Sequence, residues 1–264
     1  MKTNLTLALV ITLVLLTGCT TTKRSLSNSS YREPGGHSHF APRPNNSSDP
    51  GFEYRGELSE FDVLGITRAG TASDADIEKA LTTAKQIRLK PGASILLVQS
   101  GAIFPDAPMV NALSKHFRVV PFTGVTPVSR RGVDGQFERY DAGEFSKSLR
   151  LAAARGGCET ILCYWGILES ESAKLATKTV SWVPVASWFI PDENQHMRIR
   201  LKLALVDVRT GDWTVLSPDA MEASKLSVSP RRAVADQKLV ERLKQQAYAS
   251  GAKELVSRYE LSAK

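Results

Sequence analysis

Cys19 is the residue whose position in the sequence points most directly to chemistry. It directly follows Gly18, and Lys2 precedes a mostly apolar run over residues 5–16. A basic residue, a short hydrophobic stretch and small residues before a cleavage point are typical of a secretory signal. The run is 12 residues long, whereas a membrane-spanning helix needs about 20. The sequence therefore predicts that residues 1–18 are a cleaved signal peptide.

The four residues Leu16-Thr17-Gly18-Cys19 resemble the lipobox of bacterial lipoproteins. This resemblance implies that the Cys19 thiol receives a diacylglyceryl group, that cleavage follows Gly18, and that the new amino group is acylated, with palmitate as the expected chain. By resemblance to lipoprotein sorting in Gram-negative bacteria, Thr20 after the cysteine favours the outer membrane, with the protein facing the periplasm. The lipid anchor thus makes the membrane the first expected partner.

A second candidate is a row of three cations, Arg198, Arg200 and Lys202. They alternate with apolar residues over residues 196–208, and a two-residue period places them on one face of a strand, about 7 Å apart. Such a row could bind phosphate or carboxylate groups, or it could form the solvated outer face of a hairpin. Both interpretations remain open at this point.

A third candidate is an uncharged segment over residues 179–191, TVSWVPVASWFIP. Its prolines limit regular strand pairing, and it contains Trp182, Trp188 and Phe189. If exposed, these aromatic residues suit an interface or shallow insertion into a bilayer. If buried, they belong to the core.

Motifs that would indicate an enzyme are absent from the sequence. It contains no Gly-x-Ser-x-Gly elbow, His-Glu-x-x-His helix, Walker loop or Gly-x-Gly-x-x-Gly turn. Ser100 and His116 could still join an acidic residue in a triad, because triad members need not be neighbours in sequence. We predict no metal and no cofactor, and we favour a binding protein over an enzyme.

The other two cysteines, Cys158 and Cys163, lie five residues apart at the start of an expected strand. Five extended residues span about 16 Å, well beyond the separation of about 4.4–6.8 Å between Cα atoms that a disulfide tolerates. We therefore predict no bridge between them.

Composition limits the remaining possibilities. The chain has 264 residues with 42% hydrophobic and 23% charged residues and a formal net charge of +7. Without the signal and an unstructured stretch, about 200 residues remain, enough for one domain with a sizeable core. The positive charge favours anionic neighbours such as lipid headgroups or cell-wall polymers. No nucleic-acid-binding signature is present, so we expect no nucleic-acid partner.

The chain divides into three predicted parts. Residues 1–18 are the signal peptide. Residues 19–50 contain the lipidated cysteine and a flexible tether, because a Ser-, Asn- and Pro-rich stretch buries too little surface to offset its ordering entropy. Residues 51–264 form a single α/β domain, in which residues 52–66 are a covering arm.

The spacing of apolar residues predicts alternating helices and strands, followed by consecutive strands. Helices are predicted over residues 73–88, 106–117, 141–155 and 230–259; strands are predicted over residues 94–98, 118–122, 160–165, 173–183, 196–208 and 213–217. Alternation favours parallel core strands covered by helices, and Thr210-Gly211 favours a hairpin. The expected fold class is α/β, three-layer-like, with a C-terminal antiparallel hairpin.

With these elements, the domain resembles the α/β domain of two envelope proteins. These are the curli-secretion lipoprotein and the amino-terminal domain of the Tol-system propeller protein. The shared features are the buried strand over residues 95–98, the helix-glycine-strand unit over residues 145–165, the late hairpin and the terminal helix. The resemblance implies the fold and assigns a role to no residue.

These observations predict a lipid-anchored envelope protein that binds or assembles with other envelope components, either another protein or a second copy of itself. One alternative is a hydrolase that acts on cell-wall or lipid substrates. Another is a subunit of a secretion assembly. The ligand and the pathway are not specified by the sequence.

Overall fold

A computed structural model describes residues 20–27, 57–66, 72–125, 142–174, 193–227 and 232–259. They form seven strands and five helices. In chain order these are β1 (Thr20–Ser25), α1 (Glu60–Leu64), α2 (Asp74–Thr83), β2 (Ser94–Gln99), α3 (Ala107–Leu113), β3 (Arg118–Phe122), α4 (Ala142–Arg155), β4 (Thr160–Lys174), β5 (Glu193–Asp207), β6 (Trp213–Leu216), β7 (Met221–Ser227) and α5 (Arg232–Tyr259).

The seven described strands form one sheet in the order β3-β2-β4-β5-β6. β2 pairs in parallel with both β3 and β4, and β4 and β5 are antiparallel over 15 residue pairs. The part of β4 that does not pair with β2 pairs with β1, and the part of β5 that does not pair with β6 pairs with β7. This arrangement confirms the predicted α/β fold with parallel core strands and a C-terminal antiparallel part.

The sheet has a core on each face. On one face α3 and α5 cover Ile95 and Leu97; on the other, α1 and α4 cover Leu96 and Val98. All four residues are at most 2% exposed. A continuous apolar strand is expected where helices cover both faces, so the layered architecture follows from the sequence of β2.

The helix predicted over residues 73–88 is shorter than expected and its apolar side is not covered. A capping box between Ser73 and Asp76 starts α2, which ends at Thr83, and Ile77 and Leu81 are 54% and 74% exposed. The chain becomes extended from Ala84. It then buries Ile87 and Leu89 and pairs the Leu89 amide with the last turn of α5. Burial of these two side chains in an extended segment is thus more favourable than continuing the helix that the apolar spacing predicts.

Two strand predictions also need correction. The strands predicted over residues 160–165 and 173–183 are joined at their near ends, because β4 continues without a break from Thr160 to Lys174. Most of the second predicted strand lies outside the described residues. β7 was not predicted, because its sequence MEASKLS has little apolar alternation; backbone pairing with β5 forms it.

The first residues of the predicted tether are in a strand instead. β1 pairs antiparallel with β4 over six residues, from Thr20 with Ser172 to Ser25 with Ile167. Any residue can form backbone hydrogen bonds with the edge of β4, whether or not its side chain is apolar. The composition of this segment therefore does not reveal the strand. Leu26 is 2% exposed and supplies the apolar contact.

The packing of Leu26 on Gly166 provides a test of this strand. A Cβ on Gly166 would lie 2.2 Å from Leu26 Cδ1 and 3.1 Å from Leu201 Cδ2. We expect Gly166→Ala to destabilise the protein by about 2 kcal/mol, as overpacking does in other cores. Leu26→Ala should cost about 3 kcal/mol by leaving a cavity.

The double variant distinguishes this contact from two independent effects. Because the shortened side chain makes room for the new methyl group, Gly166→Ala with Leu26→Ala should cost less than the sum of the single variants. Denaturation by urea measures all three. Strict additivity would show that β1 does not dock on β4 at Gly166.

Candidate functional site

A cleft of about 820 Å³ lies across β4 and β5. Its floor consists of two facing pairs in the β4–β5 register, Trp165 with Lys202 and Ile167 with Arg200. Beside the cleft, the outer neighbour of β4 changes from β2 to β1, and the outer neighbour of β5 changes from β6 to β7. The cleft therefore lies where both central strands change their outer neighbour.

The alternation of β5 sets the character of the floor. Leu201 and Leu203 are buried, whereas Arg200 and Lys202 lie on the other face and are 60% and 42% exposed in their side chains. This confirms the predicted placement of the basic row on one face. Arg200 and Lys202 line the cleft, while Arg198 lies two residues farther along the same face.

One wall of the cleft is the segment that leads into α1, and internal hydrogen bonds hold it in place. The carbonyl of Leu58 accepts a hydrogen bond from Trp165 Nε1 at 2.7 Å and another from Ser100 Oγ at 3.1 Å. Ser59 starts α1 with a capping box, and the Glu60 carboxylate pairs with Lys202. This wall is preformed, as is usual for ligand sites.

Glu57 lies at the junction between this wall and the turn after β2. Its Cγ would be 2.6 Å from a Cβ on Gly101, whose φ of +78° also favours glycine. Burial raises the pKa of the Glu57 carboxyl, against a smaller opposite effect of a hydrogen bond with Ser25. Its Oε1 has no hydrogen-bond partner among the described residues. Burial of Glu57 therefore disfavours the charged form of its carboxyl group.

Beside the cleft, three cations share the carboxylate of Glu169. Arg198 Nε donates to it at 2.7 Å, whereas Arg200 and Lys23 contact it at 3.6 and 3.8 Å. Burial alone would raise the pKa of Glu169, but the hydrogen bond and charge of Arg198, with the other two cations, hold it below its ordinary value. Arg198 also reaches Glu222 at 3.5 Å. Arg200 and Lys23 are thus less compensated by this carboxylate than Arg198 is.

Glu169→Gln is expected to lower stability at neutral pH and to have little effect in acid. A carboxyl with a depressed pKa in the folded state stabilises the protein above its unfolded pKa of about 4.3, and that stability disappears as the pH falls through the folded value. Since the three cations are largely exposed, the loss at pH 7 should be about 1 kcal/mol. Urea denaturation of both proteins at pH 7 and at acid pH measures this difference.

The control for this variant is Glu222→Gln, which removes a more exposed carboxylate from the same face. It should have a smaller effect at pH 7. An equal loss of stability for Glu169→Gln at both pH values would show that the loss does not come from its ionised carboxylate.

The structure does not bring Ser100 and His116 together. Ser100 follows β2 and lines the cleft, 2% exposed, with its hydroxyl donating to the Leu58 carbonyl. His116 lies two residues before the start of β3, and the parallel pairing of Ser94 with Arg118 places it at the opposite end of the strands. Among the described residues that line the cleft there is no histidine or cysteine.

The remaining candidates have different outcomes. Trp182, Trp188 and Phe189 lie outside the described residues, so their interface role stays a prediction. Cys158 and Cys163 are both buried and free. Burial raises the pKa of the Cys163 thiol, which therefore stays protonated and unreactive.

Several cleft residues were not singled out from the sequence. Glu57 and Ser25 carry no local signal, because their role depends on where β1 and β2 end. Ser59 does have one: the spacing Ser-x-x-Asp to Asp62 is a capping-box pattern. That pattern predicts a helix start, but it does not predict a cleft.

A second polar cluster lies on the opposite face, where β2 meets α3. Asp106 directly precedes α3, but its side chain makes no capping bond. Its carboxylate instead accepts from Tyr248 at 2.5 Å and contacts Lys244 at 2.8 Å. Gln99 accepts from Tyr164 at 2.6 Å. Burial raises the pKa of both tyrosines, so both hydroxyls remain donors.

Comparison with known families assigns the chain to one of them. The model of the YafT bacterial lipoprotein family matches residues 59–258, which are 200 of the 264 residues. The chain belongs to this family. The match runs from the capping serine of α1 to the last turn of α5 and includes the floor of the cleft. It confirms the prediction of a bacterial lipoprotein.

Membership of this family places the protein in the cell envelope as a lipoprotein. No curated protein matches the sequence, and the resemblance to the curli-secretion and Tol proteins stays a prediction. In the described part of the chain, no helix is both long and apolar enough to cross a bilayer. The same part contains no group of three or more side chains suited to hold a metal ion.

Proposed function

We propose that this protein is anchored by lipid on Cys19 in the outer membrane, faces the periplasm, and binds a ligand in the cleft over β4 and β5. The observation that carries the proposal is the cleft, whose volume of about 820 Å³ falls within the range of about 300–1,000 Å³ for small-molecule sites. It combines half-buried apolar groups with charged side chains, the usual composition of such a site.

The position of β1 supports a location of the cleft close to the membrane. Thr20 directly follows the proposed lipid attachment at Cys19 and already pairs with β4. Ser25, at the other end of β1, lines the cleft. Five strand intervals span about 17 Å, so the anchor holds the cleft about that far along the sheet from the lipid.

The anchor is tested by substitution of the attachment residue. Cys19→Ala should abolish incorporation of labelled palmitate and should leave residues 1–18 uncleaved, because cleavage in the proposed pathway follows lipidation. Thr20→Asp should keep the lipid and move the protein from the outer to the inner membrane fraction. Lipid labelling and density-gradient fractionation of whole cells measure both. Unchanged labelling in Cys19→Ala would overturn the proposed attachment site.

Ligand binding is tested by photo-crosslinking in cells that produce the full chain. A benzoylphenylalanine at Ser217, which is exposed and lines the cleft, should give a discrete adduct. The same group at Leu151, which is 52% exposed on α4, is the matched control. Ala220→Trp should fill the cleft and abolish the adduct at position 217. The same adducts at both positions would contradict binding in the cleft.

A further inference from the structure

We infer that the cleft takes a zwitterionic amphiphile: an anionic group against Arg200, an ammonium group against Asp219, and an apolar portion on the floor. The inference rests on the proposed binding function of the cleft and names the class of ligand. A phosphoethanolamine lipid is the occupant that these groups fit best, and each of the three contacts has a separate basis in the structure.

The first basis is the charge that remains after internal pairing. Among the described charged residues that line the cleft, Lys202 is paired with Glu60, and Glu57 is half-buried against Gly101 and bonds Ser25 through one part of its carboxyl group. Arg200 and Asp219 are the exposed members that remain. The nearest ion-pair contact of Arg200 within the described residues is 3.6 Å long and involves a carboxylate that Arg198 already binds. Asp219 makes no ion pair with any described residue.

The second basis is the relative position of these two groups. Ile199 pairs with Met221 between β5 and β7, so the next residues inward, Arg200 and Ala220, are neighbours across the same pair of chains. Asp219 is one residue farther along. One cation and one carboxylate therefore lie on adjacent chains at the edge of the floor, which suits a ligand with two opposite charges a few bonds apart. A guanidinium binds phosphate through two hydrogen bonds.

The third basis is the apolar surface between them. Trp165 uses its only polar atom on the Leu58 carbonyl, so its ring presents carbon to the cleft. Ile167 and Pro218 extend this surface. Covering it with an acyl or glycerol carbon skeleton removes apolar area from water, which a purely polar zwitterion would leave exposed. Attachment of Cys19 beside β1 brings a membrane within reach of the same surface.

The experiment uses the lipidated full chain in vesicles, with a benzoylphenylalanine at Ser217, which is exposed and lines the cleft. Three vesicle compositions are compared: phosphatidylglycerol alone, phosphatidylglycerol with phosphatidylethanolamine, and phosphatidylglycerol with phosphatidylcholine. Mass spectrometry identifies the crosslinked lipid. We expect phosphatidylethanolamine adducts in excess of its share of the vesicle, because its primary ammonium donates hydrogen bonds to Asp219 that a quaternary ammonium lacks. Soluble glycerophosphoethanolamine should compete.

Arg200→Glu should reduce the adduct by about tenfold, the loss expected for a charge-assisted hydrogen bond. The matched control is Arg24→Glu, which makes the same charge change on β1. Arg24 faces Leu168 on the opposite side of the sheet and should leave the adduct unchanged. A thermal melt of each variant confirms that it is folded.

The outcomes separate this inference from the proposed function. Adducts in proportion to vesicle composition, or equal losses in Arg200→Glu and Arg24→Glu, would overturn the zwitterion while leaving a cleft that binds. Competition by the dipeptide Ala-Ala as strong as that by glycerophosphoethanolamine would overturn the lipid source in favour of a peptide. Adducts at Ser217 in cells without any lipid adduct in the vesicles would likewise overturn this inference alone. Absence of adducts in both experiments would remove the proposed function as well.

Discussion

Replacement of Asp106 by alanine is expected to lower the free energy of unfolding by about 3 kcal/mol, the low end for breaking a buried ion pair. The carboxylate receives the hydroxyl of Tyr248, the ammonium of Lys244 and, at 3.3 Å, the amide of Gln99. The Lys244 side chain is only 14% exposed. Alanine would leave this cation and a buried hydroxyl without an acceptor, and each such loss is costly. Urea denaturation at pH 7 measures the effect.

Two further variants identify the source of that loss. Tyr248→Phe removes one hydroxyl and keeps the edge-to-face contact with Tyr164, so it should cost about 1 kcal/mol. Lys244→Met in the Asp106→Ala background removes the stranded cation and should restore part of the stability. If Asp106→Ala cost no more than Tyr248→Phe, the ion pair with Lys244 would contribute nothing.

The second large effect is expected for Gly124→Ala, at about 3 kcal/mol or more. A Cβ on Gly124 would lie 1.8 Å from the carbonyl oxygen of Gln99 and 2.5 Å from its carbonyl carbon. Backbone atoms cannot rotate away as a side chain can. The close approach is held by backbone bonds on both sides, from Gly124 to Ala102 and from Gly101 to Gly124, each 2.8 Å long. Separation of these chains is the only way to admit the methyl group.

Gly92→Ala is the matched control for this steric effect. Gly92 has a φ of +74°, and a Cβ there would have no neighbour within 4 Å. Its replacement therefore measures only the cost of placing an alanine in a left-handed backbone conformation, which is about 1 kcal/mol. Thermal unfolding compares the two variants. Similar losses would mean that the chains near Gly124 separate at little cost. A large loss should also disturb the cleft, because Val125 forms a bridge with Glu57 beside it.

The close approach at Gly124 also shows how the cleft depends on the carboxyl end of β2. Gln99 belongs to the Asp106 cluster on one face, and Ser100 supports the cleft wall on the other. Ser27, directly after β1 and Leu26, bonds the Ser100 carbonyl. One turn thus links β1, the polar cluster and the cleft, so a change in any of them can reach the others through few contacts.

Local patterns predicted the elements whose environment repeats along the chain. The two-residue alternation of β5 follows from its position with one face on α5 and the other partly open, and the continuous apolar run of β2 follows from burial on both faces. The sequence also predicted α4 and the long α5, because each has an apolar stripe that packs on the sheet. For α2 the same reasoning predicted a longer, buried helix and was wrong, because helical spacing of apolar residues does not indicate whether another element packs on them.

Local residue patterns were enough to predict a lipoprotein, an α/β domain and a basic row on one face of β5. These properties are set by residues close together in the chain. The local patterns did not predict that the segment after Cys19 joins the sheet, or that Arg200, Trp165 and Ser25 border one cleft. These arrangements depend on contacts between distant parts of the chain, because Thr20 pairs with Ser172, 152 residues later, through backbone groups that every residue carries.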